Sequence, residues 1–255
     1  MMKMHILSGG RLRMKKKVYH AQAQSDEMID LPVSCYLFKH PQGNVLFDTG
    51  CHPSIQSDAQ VRWGSMAKAM LPIGSADENV IDDLAKLNMS PLDIDVVINS
   101  HFHTDHCGCN AFFKKATIIC HAKELENAQS DDAATKGFLR MDWDHPMPIE
   151  PIHGEKDVFG DGKILLIPMP GHTPGMTTAL VNLDQDGSFL LASDAIALRH
   201  NLETRTNPRN TWDQDASFQS LEEIAKIIQA GSTIIYGHDI DQWQGLRKGM
   251  LSYGQ

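Results

Sequence analysis

Short apolar runs, rather than long amphipathic stretches, set the rhythm of this chain. Val33-Ser34-Cys35-Tyr36-Leu37-Phe38 and Asn44-Val45-Leu46-Phe47-Asp48 flank His40-Pro41-Gln42-Gly43. β-Branched and aromatic residues on both sides of a Pro/Gly turn predict a hairpin. Residues 51–75 show no period and mix Pro, Gly, Ser, Trp63 and several Met. Ser75-Ala76-Asp77-Glu78 has the form of a capping box. Val80, Leu84 and Leu87 follow at helical spacing with Ile81 beside them. Buried-type strands are predicted at Asp95-Val96-Val97-Ile98-Asn99, Thr117-Ile118-Ile119-Cys120 and Lys163-Ile164-Leu165-Leu166-Ile167. Thr178-Ala179-Leu180-Val181-Asn182 and Ser188-Phe189-Leu190-Leu191-Ala192 flank a second turn, Asp184-Gln185-Asp186-Gly187. Leu221, Ile224 and Ile228 share one face of a helix that stops at Gly231. Thr233-Ile234-Ile235-Tyr236 closes the pattern as a strand. Without internal repeats or a low-complexity linker, these elements predict one α/β domain over residues 1–255 with two packed sheets.

Composition narrows the function. A chain of 255 residues has ample length for a sizeable core. A formal net charge of −9 argues against a protein that coats nucleic acid, because phosphate binding needs basic surface. No run of 18 apolar residues predicts a membrane span, and the basic N-terminal cluster lacks the preceding order of a secretory signal. The cysteines Cys35, Cys51, Cys107, Cys109 and Cys120 form an odd set without a CxxC pair. They read as free thiols of a cytoplasmic protein. The 13 histidines direct attention to metal binding.

The informative run is Ser100-His101-Phe102-His103-Thr104-Asp105-His106, directly after the strand 95–99. Side chains two apart point the same way in extended chain, so His101 and His103 can grip one ion together. Asp105 and His106 come after the chain has turned and can face a second ion. His172 follows the strand 163–169 through Pro170-Gly171, Asp194 the strand 188–192 through Ser193, and His238 the strand 233–236 through Gly237. Any one of them alone would pass for a turn or cap residue. Together, four strand ends offer seven N/O ligands, enough for two adjacent ions with room for water. Cys107 and Cys109 lie beside the run, but the N/O set is complete without them and packing is their expected role.

His101-Phe102-His103-Thr104-Asp105-His106, Gly171-His172, Asp194 and Gly237-His238, with Asp48-Thr49-Gly50 after an early strand, resemble the signature of the metallo-β-lactamase superfamily. The resemblance runs over nearly the whole chain and implies an αββα sandwich with metals at one edge of the two sheets. It also implies that His101, His103 and His172 hold one ion, that Asp105, His106 and His238 hold the other, and that Asp194 bridges them. An Asp bridge separates the chain from zinc β-lactamases. Asp48 then either orients a ligand histidine or caps the turn after its strand.

Two ions about 3.5–4 Å apart can share a water and lower its pKa toward about 7. The expected chemistry is attack of a metal-bridging hydroxide on an ester-like carbonyl, in keeping with the absence of a GxSxG nucleophile elbow. Asp105 is the expected proton donor to the leaving alkoxide. The chain is most similar to the N-acyl homoserine lactone lactonase branch and also to 4-pyridoxolactonases, through Leu7-Ser8-Gly9-Gly10, Asp48-Thr49-Gly50, the 51–75 insertion and Gly237-His238-Asp239. Many lactonases of that branch carry a Tyr three residues after the bridging Asp, on the substrate carbonyl. Here that place is Ala197, with no tyrosine near it in sequence, and Arg199 and His200 read as loop residues. Trp63, Met66, Met70 and Leu71, with Phe138, Met141 and Trp143, either line an apolar channel beside the metals or pack the insertions onto the domain. The 51–75 segment could instead meet a homodimer partner. The expected cofactors are two divalent ions, zinc first, with manganese, iron or cobalt compatible with the same donors. The expected partner is a small lactone, without nucleic acid or membrane. A metal-dependent phosphodiesterase is the competing reading.

Overall fold

The computed structural model describes residues 1–254. The strands in chain order are β1 (Lys3–Lys15), β2 (Met28–His40), β3 (Gly43–Phe47), β4 (Leu71–Pro72), β5 (Val96–Ile98), β6 (Thr117–His121) and β7 (Ile149–Ile152). β8 (Lys156–Asp157), β9 (Ile164–Pro168), β10 (Thr177–Leu183), β11 (Gly187–Ser193), β12 (Thr233–Tyr236) and β13 (Ser252–Tyr253) follow. The α-helices are α1 (Ile55–Trp63), α2 (Val80–Lys86), α3 (Thr104–Cys107), α4 (Ala122–Ala128), α5 (Arg140–Trp143), α6 (Arg199–Thr204), α7 (Gln214–Gln229) and α8 (Ile240–Gly245).

One sheet runs β13-β1-β2-β3-β5-β6-β7, with β4 paired to β1; the other runs β12-β11-β10-β9-β8. The layering follows from strand alternation. In β2, Tyr36 and Phe38 point between the sheets and meet Ile164, Leu166, Val181 and Leu191 of the second sheet. Cys35 and Leu37 point the other way and are equally buried, because Val80 and Leu84 of α2 cover that face. On the far side, Leu190, Ala192 and Ile234 lie under Leu221 and Ile224 of α7. Each fully buried Leu or Ile stabilises such a layer by roughly 1.5–3 kcal/mol relative to exposure. The result is the αββα sandwich expected from the residues.

Several local expectations are corrected. Helix α2 is capped by Asn79, whose side chain accepts from the backbone N–H of Ile81 and Asp82. Glu78 does accept from Ser75 N–H at 3.0 Å, but that pair closes a turn before the helix. The 51–75 segment holds α1, which is kinked at Asp58, a 3-10 turn over Gly64–Lys68, and β4. Arg199 and His200 open helix α6 rather than a loop. β1 was not expected as a strand, and β2 extends well before Val33.

The topology gathers loops at one edge. β3, β5 and β6 are parallel neighbours, so their C-terminal ends coincide. β9 and β11 both run antiparallel to β10, and β12 is parallel to β11. The C-terminal ends of β9, β11 and β12 therefore also share an edge. Asp48, the 99–106 loop, His172, Asp194 and His238 leave these ends in turn.

Candidate metal centre

All seven expected ligand residues meet at that edge. His103 Nδ1 lies 3.1 Å from His101 Nε2 and 3.0 Å from His172 Nε2. Asp105, His106 and His238 form a second group whose ligand atoms lie within 4.8 Å of one another. Asp194 stands between them. Its Oδ2 is 3.2 Å from His172 Nε2, and its Oδ1 is 2.8 Å from His238 Nε2 and 3.4 Å from His106 Nε2. One carboxylate thus presents a different oxygen to each group.

The outer nitrogens are fixed by protein partners, which leaves the inner ones to converge. His106 Nδ1 hydrogen-bonds Asp48 Oδ2 at 2.9 Å, and His238 Nδ1 hydrogen-bonds the Pro32 carbonyl at 2.9 Å. His101 Nδ1 meets Ser100 Oγ at 2.9 Å, and His103 Nε2 meets the Lys136 carbonyl at 3.0 Å. Such partners set tautomer and ring orientation. Asp48 also accepts from the backbone N–H and the hydroxyl of Ser100, both at 2.8 Å. It therefore orients His106 and the histidine loop instead of capping its own turn. Asp48 and Ser193 hold φ of 59° and 45°, a left-handed backbone uncommon for non-glycine residues. Both outliers flank the site, where strain of this kind collects.

Two buried polar atoms here make no well-directed hydrogen bond, His106 Nε2 and Asp194 Oδ1, although Oδ1 lies 2.8 Å from His238 Nε2. Both aim into the space between the histidines. Burying such atoms unpaired is costly; a cation placed among them satisfies both. The donor set of imidazole nitrogens and carboxylate oxygens suits zinc and its neighbours.

Electrostatics divides the cluster. Burial, then the neighbouring His172, pushes His103 down to about 3. Burial and the adjacent His106 and His103 take His101 well below the ordinary range. These rings are neutral, the form that ligates metal. For His106 burial acts downward, but the carboxylates of Asp105, Asp194 and Asp48 outweigh it and raise its pKa well above normal. His238 is raised in the same way, chiefly by Asp194. Metal entering the second group must displace these protons.

Glu124 was not singled out in the sequence, yet it braces two ligand loops. Fully buried on α4, it accepts from Phe102 N–H at 3.0 Å, between His101 and His103. Its other oxygen accepts from Thr173 Oγ1 at 2.7 Å and Gly175 N–H at 3.0 Å, just past His172. Burial pushes its carboxyl up to about 7 against the pull of these donors. A Cβ at Gly175 would stand 2.4 Å from Glu124 N, so only glycine permits this approach. No short sequence pattern marks Glu124, because its partners come from two distant loops.

Beside the candidate ligand cluster opens a cavity of about 460 Å³, walled in part by His103, Asp105, His172 and Asp194. Of the seven apolar residues expected there, Met66, Met70 and Phe138 line it. Trp63 and Trp143 are buried in packing clusters instead, and Leu71 and Met141 are exposed. The Trp63 indole N–H donates to Thr104 Oγ1 at 2.6 Å and ties α1 to α3, which carries Asp105. Met14, Tyr19 and Trp212 complete the apolar wall and were not foreseen. Ala197 is buried, and although no tyrosine neighbours it in sequence, Tyr19 belongs to the same buried cluster. All five cysteines are free and buried. Burial raises the Cys107 thiol well above its usual range, and neither Cys107 nor Cys109 belongs to a candidate ligand group among the described residues.

With this geometry in view, comparison with known proteins places the chain. Residues 28–238 match the model of the metallo-beta-lactamase superfamily, and the chain belongs to that superfamily. Within it, the chain is 30% identical to the N-acyl homoserine lactonase AttM of Agrobacterium fabrum, over 96% of each chain. It is 27% identical to an N-acyl homoserine lactonase of a Bacillus species, again over 96% of each. Among solved structures, it superposes with a TM-score of 0.89 on an N-acyl homoserine lactone hydrolase with N-hexanoyl-L-homoserine bound at its catalytic metal centre. That likeness is 25% in sequence and covers 98% of both chains.

Proposed function

We propose that the chain acts as one cytoplasmic hydrolase domain that opens a lactone ring, an N-acyl homoserine lactone in the first instance. The observation that carries this reading is the convergence of seven N/O donors, with His106 Nε2 and Asp194 Oδ1 buried at their centre without a well-directed hydrogen bond. The names of the relatives supply the substrate class. Five free cysteines fit a reducing compartment, and among the described residues no helix is long and apolar enough to cross a membrane.

His101, His103 and His172 would hold one divalent ion, and Asp105, His106 and His238 a second, with Asp194 between them and zinc as the natural occupant. When bound, such a pair lowers the pKa of water and polarises a carbonyl. The chain's own residues do the rest. Asp48 and the Pro32 carbonyl keep His106 and His238 turned inward. Met66, Met70 and Phe138 give the acyl chain an apolar wall. Asp105 sits on the cavity wall, where it can carry a proton to the departing ring oxygen. Water adds to the carbonyl carbon, the ring C–O bond breaks, and the products are a carboxylic acid and a free hydroxyl. The acid ionises near neutral pH and releases one proton per turnover.

A pH-stat assay of purified, metal-loaded protein tests this. Homoserine lactones should release acid, and a chelator should stop the release. Turnover of a phosphodiester with no turnover across a lactone panel would replace this reading with its competitor.

A further inference from the structure

We propose that Tyr19 is a catalytic residue, whose phenol donates a hydrogen bond to the substrate's carbonyl oxygen as that oxygen gains negative charge. The inference rests on the lactonase reading and adds to it a residue from outside the metal-binding loops.

Tyr19 follows the 3-10 turn Lys16–Val18 at the end of β1, far in sequence from every metal-site residue. It nevertheless lines the cavity together with His103, Asp105, His172 and Asp194. Only 4% of the residue is exposed. A buried phenol ordinarily finds a firm hydrogen-bond partner. Among the described residues the hydroxyl reaches only the Met14 thioether, at 3.7 Å. Sulfur of this kind is a weak acceptor, so the O–H remains available to an oxygen that enters the cavity.

The ring is also held in place before substrate arrives. The Tyr19 carbonyl accepts from Asn201 Nδ2 at 2.9 Å, and Asn201 is itself buried on α6. Tyr19 N–H donates to the Lys16 carbonyl at 3.0 Å, and Arg209 N–H donates to the carbonyl of Val18 at 2.8 Å. The next residue, His20, stacks on His200 with ring centroids 4.0 Å apart. The segment that carries Asp194 into α6 thus anchors Tyr19 too, so carboxylate and phenol share one frame. A donor fixed in this way stabilises developing charge without reorganising during the reaction. Ala197, with a side chain of one methyl group, lies in the same buried cluster. Lactone opening converts a planar carbonyl into a tetrahedral oxyanion. A neutral O–H donor near the metal-binding carboxylates is suited to that oxygen and would gain little from the uncharged ground state.

Tyr19→Phe removes the hydroxyl and keeps the ring, so the fold and the bound metal should not change. The expected result is a fall in kcat for homoserine lactone of about 10²-fold, the scale for loss of one oxyanion donor, with KM nearly unchanged. A phosphonate analogue of the tetrahedral oxyanion should bind the variant more weakly by a similar factor. A cyclic ether analogue without a carbonyl should bind both proteins equally. Tyr19→Phe/Ala197→Tyr places a phenol on the other side of the same cluster, and partial recovery of kcat would support the role. If wild-type protein opens lactones while Tyr19→Phe keeps its kcat and its phosphonate affinity, the inference fails and the lactonase reading stands. If wild-type protein opens no lactone, both fall. Equal loss of affinity for the phosphonate and the cyclic ether would show that Tyr19 only shapes the cavity, and would also overturn the inference.

Discussion

Asp194→Ala is expected to bind one metal ion or none per chain and to lose lactone turnover by at least about 10³-fold, the upper scale for removing a charge-stabilising group at a reacting centre. The expectation follows from where its oxygens lie. Oδ2 faces His172 at 3.2 Å, while Oδ1 faces His238 at 2.8 Å and His106 at 3.4 Å. Removing the side chain takes one donor from each group and the negative charge that holds two cations close together. Without it, the mutual repulsion of the two cations has no local counterweight. Cys107→Ala is the matched comparison. Cys107 is just as buried and adjoins His106 in sequence, yet it packs in a cluster with Phe102 and Trp143. It should keep its metal and its activity. Metal analysis and kinetics on the two variants check the pair, and loss of metal from the Cys107 variant would contradict the ligand set.

Asp105→Asn should lower kcat for homoserine lactones by about 10²–10⁴-fold, the range for a positioned acid–base group. The amide oxygen can still face His106 and His238, which lie 3.6 and 3.8 Å from Asp105 Oδ2. It cannot carry a proton. The loss should therefore depend on the leaving group. An alkoxide needs a proton to depart, whereas a nitrophenolate does not. Rates for a lactone and for a nitrophenyl ester, measured on wild type and variant, separate the two effects. A large loss for the lactone with a small loss for the aryl ester is the predicted result. Equal losses for both would place Asp105 among the ligands alone.

The candidate metal ligands were legible in the sequence because each follows a strand at its C-terminal end, and strands of this kind announce themselves by short apolar runs. His101 and His103 add the period-two spacing that only extended chain turns into a shared face. Their outer partners were legible only in part. Asp48 could be singled out, but its choice between His106 and its own turn depends on a parallel β3–β5 pairing that no local pattern encodes. Glu124 and Tyr19 left no local signal, since each acts on loops more than 20 positions away. β1 was hidden for a different reason. Gly9-Gly10 interrupts its apolar alternation. In the fold, a Cβ on Gly9 would stand 2.8 Å from Gly50 Cα, so the strand needs glycine where it passes the Asp48-Thr49-Gly50 corner. The predicted helix start at Ser75 failed because Asn79, four residues on, offers the better cap directly before Val80.

Metal stoichiometry tests the central claim most directly. Protein purified without chelator, or stripped and then reconstituted with zinc or cobalt, should contain close to two ions per chain by elemental analysis, and lactone turnover should rise with the second equivalent. A stoichiometry of one or fewer at full lactone activity would contradict a dinuclear centre built from His101, His103, Asp105, His106, His172, Asp194 and His238.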